Sequence, residues 1–305
     1  MGERRRYRSL IMDSRRWDGF QFRDDDVVIS TPSKCGTTWM QMQCALLIFQ
    51  DPALPAPLTR LSPWLDIQTE TVESVVAVLE GQTHRRFIKT HTPLDGVPCD
   101  DRVTYITVGR DPRDVALSWD NHMSNLNLES VLNQRVAVAG ADDLEELLRP
   151  EMLEAPEDPI ERFWMWMESD SFSDEDPSGL PELVNHLDTF WVKRDQPNIA
   201  MFRYEDMKAD LDGQMRRLAS VLGLEVDDAK WPMLVEAATF DRMRDRATDL
   251  APQVTNGFWQ DDARFFNVGG SGQWRAFFDD ADQERYEKRL NTIASPELVA
   301  WLNGA

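Results

Sequence analysis

Short runs of β-branched and other apolar residues alternate along the chain with longer amphipathic stretches, a pattern of βα units and not of a β-sandwich. Asp26-Val27-Val28-Ile29-Ser30 reads as a buried strand, Thr31 to Gly36 as a turn, and Thr37 to Phe49 as a helix. A second strand is expected at Arg86 to Thr90 and a third at Val103 to Val108. Asp111 as cap and Pro112 in the first turn then open a helix through about Met123. A fourth strand, Ile199 to Arg203, leads into helical patterns through Gly223, with further helices near Asp228 to Ala237 and Asp282 to Leu302. The expected result is a parallel sheet wrapped by helices. Residues 125–157, without firm periodicity, and 168–181, acidic and rich in Ser, Pro and Gly, read as surface insertions. Residues 250–273 carry Gly257, Gly269, Gly270 and Gly272 and are too long for an idle connector, which makes them a candidate lid or binding loop.

With 305 residues, 42% of them hydrophobic, the chain can bury a sizeable core as one large domain or two modest ones. It has no run of eighteen apolar residues, and its basic start, Arg4 to Arg8, is not followed by the apolar core of a signal peptide. A cytoplasmic protein with no membrane span is expected. Cys35, Cys44 and Cys99 are too few and too irregularly spaced for a disulfide framework or a zinc site, so no metal is expected. A net charge of -21 argues against nucleic acid and anionic membranes as partners. A phosphate-bearing ligand would therefore need a locally basic pocket rich in backbone N–H donors.

Three strand ends carry candidate chemistry. Ser33-Lys34-Cys35-Gly36-Thr37-Thr38-Trp39 lies between a strand and a helix, where backbone N–H groups and a helix N-terminus converge on one point suited to an anion. It is not a nucleoside triphosphate loop, because its first Gly is missing and Lys34 precedes Gly36. Lys34 could reach a leaving phosphate, Thr37 and Thr38 its oxygens, and Trp39 could stack on a base. Lys89-Thr90-His91 ends the second strand, where open parallel sheets place their ligands. His91 can take a proton from an acceptor hydroxyl, and Lys89 can neutralise charge on a transferring group. Gly109 to Ser118 adds Arg110, suited to a phosphate fork, and Ser118, which must share a face with the loop to touch the same ligand. Arg113 and Asp114 read as exposed or local pairs.

In order and spacing these segments resemble the cytosolic-type sulfotransferase family dependent on 3′-phosphoadenosine 5′-phosphosulfate, in a bacterial form. Three more fit the resemblance: Arg203-Tyr204-Glu205-Asp206-Met207, Thr239-Phe240-Asp241-Arg242-Met243, and Gly269-Gly270-Ser271-Gly272-Gln273-Trp274-Arg275. The resemblance implies a single α/β domain of P-loop-like architecture over residues 1–305. It also implies a co-substrate cleaved to adenosine 3′,5′-bisphosphate without a metal ion, and transfer to a hydroxyl of a small molecule. Carried over by position, Lys34 serves the bridging oxygen of the leaving phosphate, and Cys35, Gly36, Thr37 and Thr38 form the 5′-phosphate cradle. Trp39, Tyr204 and Phe240 contact adenine, while Arg110, Ser118, Gly269 and Gly270 hold the 3′-phosphate. Lys89 stabilises the transition state and His91 is the general base of an in-line displacement.

The departures are specific. Asn267 and Val268 stand where the family has an Arg-Lys pair, leaving Arg264 as the nearby cation, and Asp279-Asp280 replaces the family's Thr-Val dimer segment. Cys35 replaces a Ser and reads as a small packed residue, though a helix N-terminus and Lys34 could make it reactive. A non-catalytic or weakly active adenosine-bisphosphate-binding protein of the same fold is the alternative. Phe258, Trp259, Phe265 and Phe266 favour a hydrophobic alcohol or phenol over a carbohydrate as acceptor.

Overall fold

A computed structural model describes residues 4–148, 155–169, 179–246, 250, 257–265 and 269–304. Its centre is a sheet of four parallel strands, β1 (Val27–Ser30), β2 (Phe87–Thr90), β3 (Thr104–Gly109) and β4 (Ile199–Arg203), in the order β2-β1-β3-β4. Both faces are covered, which is why these strands read as nearly unbroken apolar runs. Val27 and Ile29 join Phe87, Ile106, Val108 and Phe202 on one face, against Met40, Leu47, Leu218 and Leu234. Val28, Ile88, Tyr105 and Met201 turn to the other, against Trp17, Leu79, Leu94 and Phe190. The chain is thus a single α/β domain, as its sequence implied.

The Thr37–Phe49 helix has the expected bounds, and the one opened by Asp111 runs Pro112–Asn125 with the Asp111 carboxylate accepting from the Arg113 backbone N–H. Helices Val72–Gly81, Leu128–Ala139, Pro159–Glu168 and Leu180–Trp191 were not foreseen. Two of them alter the expected surface insertions. Within 125–157, Val131, Arg135 and Leu147 are fully or nearly fully buried, so this stretch is part of the wall of the molecule. Most of 168–181 lies outside the described residues, but Leu180 is buried at the start of its helix. Among the described residues no helix is long and apolar enough to cross a membrane, and none of the three cysteines is in a disulfide.

Candidate functional site

All four strands point their carboxyl ends at one side, so the loops that follow them meet there. After β1, Lys34 and Gly36 adopt left-handed backbone angles (φ 65° and 103°) that turn the chain directly into the Thr37–Phe49 helix. A Cβ on Gly36 would stand 3.0 Å from the Tyr204 ring, so the loop and that ring meet through the missing side chain. No side chain caps this helix, which leaves its first N–H groups without that competitor for an anion. The Thr31 and Thr37 hydroxyls lie 2.5 Å apart and tie the loop's two ends together. Cys35 is buried among Val115, Ala116 and Trp166, and burial pushes its thiol up to about 12, so it is packed and unreactive.

At the end of β2, Lys89 lays its ammonium 4.0 Å from the centre of the Trp64 ring, and the His91 ring meets the same indole edge-on at 5.0 Å. Trp64 is held from behind. Its Nε1 donates to Asp66 (2.6 Å), a fully buried carboxylate that also accepts from Trp17 Nε1 (2.9 Å), Thr90 Oγ1 (2.5 Å) and Thr92 Oγ1 (2.6 Å). His91 Nδ1 lies 2.8 Å from the Thr31 carbonyl, which can only accept; Nδ1 therefore carries the hydrogen and Nε2 keeps its lone pair. Burial, then the neighbouring Lys89 charge, holds the His91 imidazole well below its ordinary range, and it is neutral and able to accept a proton. Burial likewise lowers Lys89 to about 7 and Lys34 to about 8, the latter with help from the Arg110 charge.

The β3 end supplies Arg110, which stacks 4.3 Å over Tyr204 and donates to the Lys34 carbonyl (3.0 Å) and the Gly270 carbonyl (2.9 Å). Its Nε is buried without a hydrogen-bond partner, a donor left over for a ligand oxygen. Ser118 shares the lining with the loop, and Trp39 packs edge-on against Tyr204 at 5.2 Å. Gly269 (φ 59°) sits so close to Phe240 that a Cβ would fall 2.4 Å from the ring. Asp114 is no exposed pair: it is buried and accepts from the Gly272 and Gln273 N–H groups (2.6 and 3.1 Å), pinning the glycine segment to the helix that carries Ser118. Arg113 does pair locally, with Asp111 at 2.8 Å, but buried and 3.5 Å over the Trp274 ring.

These ends border one cavity of about 1250 Å³. Its lining combines Lys34, Gly36, Thr37, Thr38, Trp39, Arg110, Ser118, Tyr204, Phe240 and Gly269 with Lys89 and His91 and with the apolar Leu10, Ile11, Leu126, Phe258, Trp259 and Phe265; the Lys34 ammonium lies 5.1 Å from the centre of the Phe265 ring. Residues 257–265 are anchored: Asn127 N–H donates to the Phe258 carbonyl (2.9 Å) and Gln260 N–H to the Asn125 carbonyl (2.8 Å). Phe266, Asn267 and Val268 lie outside the described residues. Arg264 is exposed, reaches Ser124 Oγ at 3.4 Å and does not line the cavity, while Asp279 caps the Asp280–Ile293 helix.

Sequence reasoning missed His122 and Lys208, among other residues of the cavity. His122, stacked on Trp119 and edge-on to Trp259, holds its Nδ1 3.3 Å from Lys34 Nζ. Lys208 lines the cavity beyond Tyr204. Each stands four positions after a residue already singled out, Ser118 and Tyr204, and helical spacing is the signal that could have found both.

The donor set fits a nucleotide bearing phosphates: a helix N-terminus, a lysine, a buried guanidinium with an unused donor, and aromatic rings. Among the described residues no cluster of His, Cys, Asp or Glu could hold a metal ion. Residues 24–295 match the family described as Sulfotransferase domain. A "Glycolipid sulfotransferase" of Mycobacterium bovis (strain BCG / Pasteur 1173P2) is 45% identical, covering 99% of this chain and 94% of that protein. Among solved structures, retinol dehydratase in a complex with retinol and PAP aligns with a TM-score of 0.68 at 22% identity, covering 91% of this chain and 83% of that one. Mouse sulfotransferase SULT7A1 complexed with PAP gives a TM-score of 0.68 at 18% identity over 94% and 90%. At these identities the two structures speak for the fold.

Proposed function

The chain belongs to the sulfotransferase family, and we propose that it moves the sulfuryl group of 3′-phosphoadenosine 5′-phosphosulfate to a hydroxyl of an amphipathic acceptor, a glycolipid above all. The observation that carries this reading is that Lys34, Lys89 and His91 are near neighbours lining one cavity whose other walls differ in chemistry. One end offers cations, N–H groups and rings to a nucleotide; the other offers an apolar wall to a hydrocarbon. The volume of about 1250 Å³ exceeds the roughly 300 to 1,000 Å³ of a single-ligand pocket and suits two ligands side by side.

In this reading His91 Nε2 accepts the hydroxyl proton as the acceptor oxygen bonds to sulfur, and the bond from sulfur to the leaving phosphate oxygen breaks on the far side. Lys34 stabilises the charge that grows on that oxygen, and Lys89 the charge on the sulfuryl oxygens. Gly36, Thr37 and Thr38 hold the 5′-phosphate, with Cys35 packing beneath them. Arg110, Ser118, Gly269 and Gly270 hold the 3′-phosphate, and Trp39, Tyr204 and Phe240 border the adenine. Burial and the Lys89 charge lower the proton affinity of His91, and an anionic ligand beside it stabilises the imidazolium and raises that affinity. A glycolipid joins the apolar wall to the name of the 45% identical relative, because its reacting hydroxyl is on a sugar while its chains are apolar. It therefore amends the expectation of an alcohol or phenol. The reading places the activity in the cytoplasm, which three cysteines outside any disulfide fit.

The test is transfer of labelled sulfate to a panel of glycolipids, long-chain alcohols, phenols and free sugars, with His91→Ala and Lys34→Ala beside the unaltered protein. Transfer to glycolipids, reduced by about a hundred- to ten-thousand-fold in His91→Ala, is expected. Equal turnover of free sugars and glycolipids would remove the apolar wall from the account; binding of adenosine 3′,5′-bisphosphate without any transfer would favour a non-catalytic binder.

A further inference from the structure

Five cationic side chains line the described part of the cavity: Lys34, Lys89, Arg110, Arg162 and Lys208. Lys34 lies beside His122 and Lys89 over Trp64. Arg162 is already taken, clasping Asp120 and the Pro156 and Glu157 carbonyls. For a second phosphate remote from Lys34, Arg110 and Lys208 remain. These two act at adjoining points, because Lys208 Nζ donates to the Gly269 carbonyl (3.0 Å) and Arg110 to the Gly270 carbonyl (2.9 Å). Consecutive carbonyls thus draw two cations from different elements, the Tyr204–Ala209 helix and the end of β3, to one edge of the cavity. Lys208 forms no ion pair among the described residues, and one hydrogen bond to a carbonyl leaves two ammonium donors unused.

We propose that Lys208 is a ligand of the nucleotide's 3′-phosphate, acting with Arg110 across the Gly269-Gly270 edge. The proposal deepens the sulfotransferase reading and rests on it. It also explains how a chain of net charge -21 attracts a polyanion here without Arg264, which does not line the cavity. An exposed lysine is a modest ligand by itself; beside a buried guanidinium it completes a two-point grip.

The experiment compares adenosine 3′,5′-bisphosphate with adenosine 5′-monophosphate by calorimetric titration of the unaltered protein, Lys208→Gln and Lys208→Arg. The expected result is bisphosphate binding weakened about tenfold by Lys208→Gln, the low end for one charge-assisted hydrogen bond. Monophosphate binding should stay within about twofold, with most of the loss restored by Lys208→Arg. An equal loss for both nucleotides, or none, overturns the assignment while leaving the nucleotide site standing. Failure of the unaltered protein to bind either nucleotide overturns the function reading itself, and the assignment with it.

Discussion

Lys34 donates from Nζ to Nδ1 of His122 across 3.3 Å, and this contact decides which ring nitrogen of His122 carries the hydrogen. An ammonium can only donate, so Nδ1 keeps its lone pair and the neutral ring is protonated at Nε2. His91 has the opposite arrangement, Nδ1–H donating to the Thr31 carbonyl and Nε2 accepting. In the proposed mechanism the two imidazoles thus have separate duties, one to take a proton and one to place a lysine.

Nitrogen NMR of the imidazoles at pH 7 should therefore find both rings neutral, in keeping with the lowered proton affinity of each, with His91 in the Nδ1–H and His122 in the Nε2–H form. His122→Phe, which keeps the ring and removes the acceptor, should lower kcat by roughly tenfold, the size of one lost charge-assisted hydrogen bond, with little change in KM for the acceptor. A charged His122 at pH 7, or an unaltered kcat, would contradict the contact.

Proton uptake should accompany nucleotide binding. Burial penalises the ammonium and lowers Lys34 to about 8 and Lys89 to about 7, and a phosphate dianion beside them reverses that penalty. At pH 8 binding should take up about one proton, and the lysine contribution should vanish near pH 6, where both are already charged. Calorimetry in buffers of different ionisation enthalpy measures it. The same shifts fix a stability trend: from about pH 7 towards 10.5 the unfolded chain binds more protons at these two lysines than the native one, so their contribution to stability rises with pH there.

Asp66→Asn should destabilise the fold by roughly 2 to 4 kcal/mol, because an amide can no longer accept on both sides from Trp17, Trp64, Thr90 and Thr92. Urea unfolding measures the loss. Trp64 also backs Lys89 and His91, so turnover measured where the variant remains folded should fall further than nucleotide affinity does.

Gly269→Ala should weaken adenosine 3′,5′-bisphosphate binding, since its Cβ would fall 2.4 Å from Phe240 and force that ring out of place. The left-handed backbone at 59° adds about 1 to 2 kcal/mol of strain for any residue with a Cβ. Titration and thermal unfolding of the variant read the two effects separately; unchanged affinity would detach Phe240 from the nucleotide end.

The sheet was legible because both its faces are buried: four short runs rich in apolar and β-branched residues mark their strands to within a residue, and Gly36 marks where the first helix begins. The wall of the cavity was not. In the Leu128–Ala139 helix Val131 and Arg135 are buried while most other positions are not, so no clear apolar stripe survives in the sequence. Lys34, Lys89, His91 and Arg110 could be found because strand ends place them, whereas His122 and Lys208 reach the cavity only through helical spacing from a flagged neighbour. Asp114 was misjudged for a different reason: its partners are backbone N–H groups some 158 residues away, and backbone leaves no trace in side-chain pattern.

The two ends of the cavity also differ in how they are made. The nucleotide end is cast by strand termini and the turns between sheet and helix, whose positions are tied to the register of four paired strands. The apolar end is assembled from separate peripheral pieces, Ser9–Met12, Leu126, Leu147, Ala155–Pro156 and Phe258–Trp259, none of which belongs to a strand of the sheet. In the proposed reading the acceptor end is thus an exchangeable cassette mounted on a fixed chassis: these pieces can be lengthened, shortened or grafted to admit a different hydroxyl while the groups assigned to the donor, tied to the sheet, stay in place.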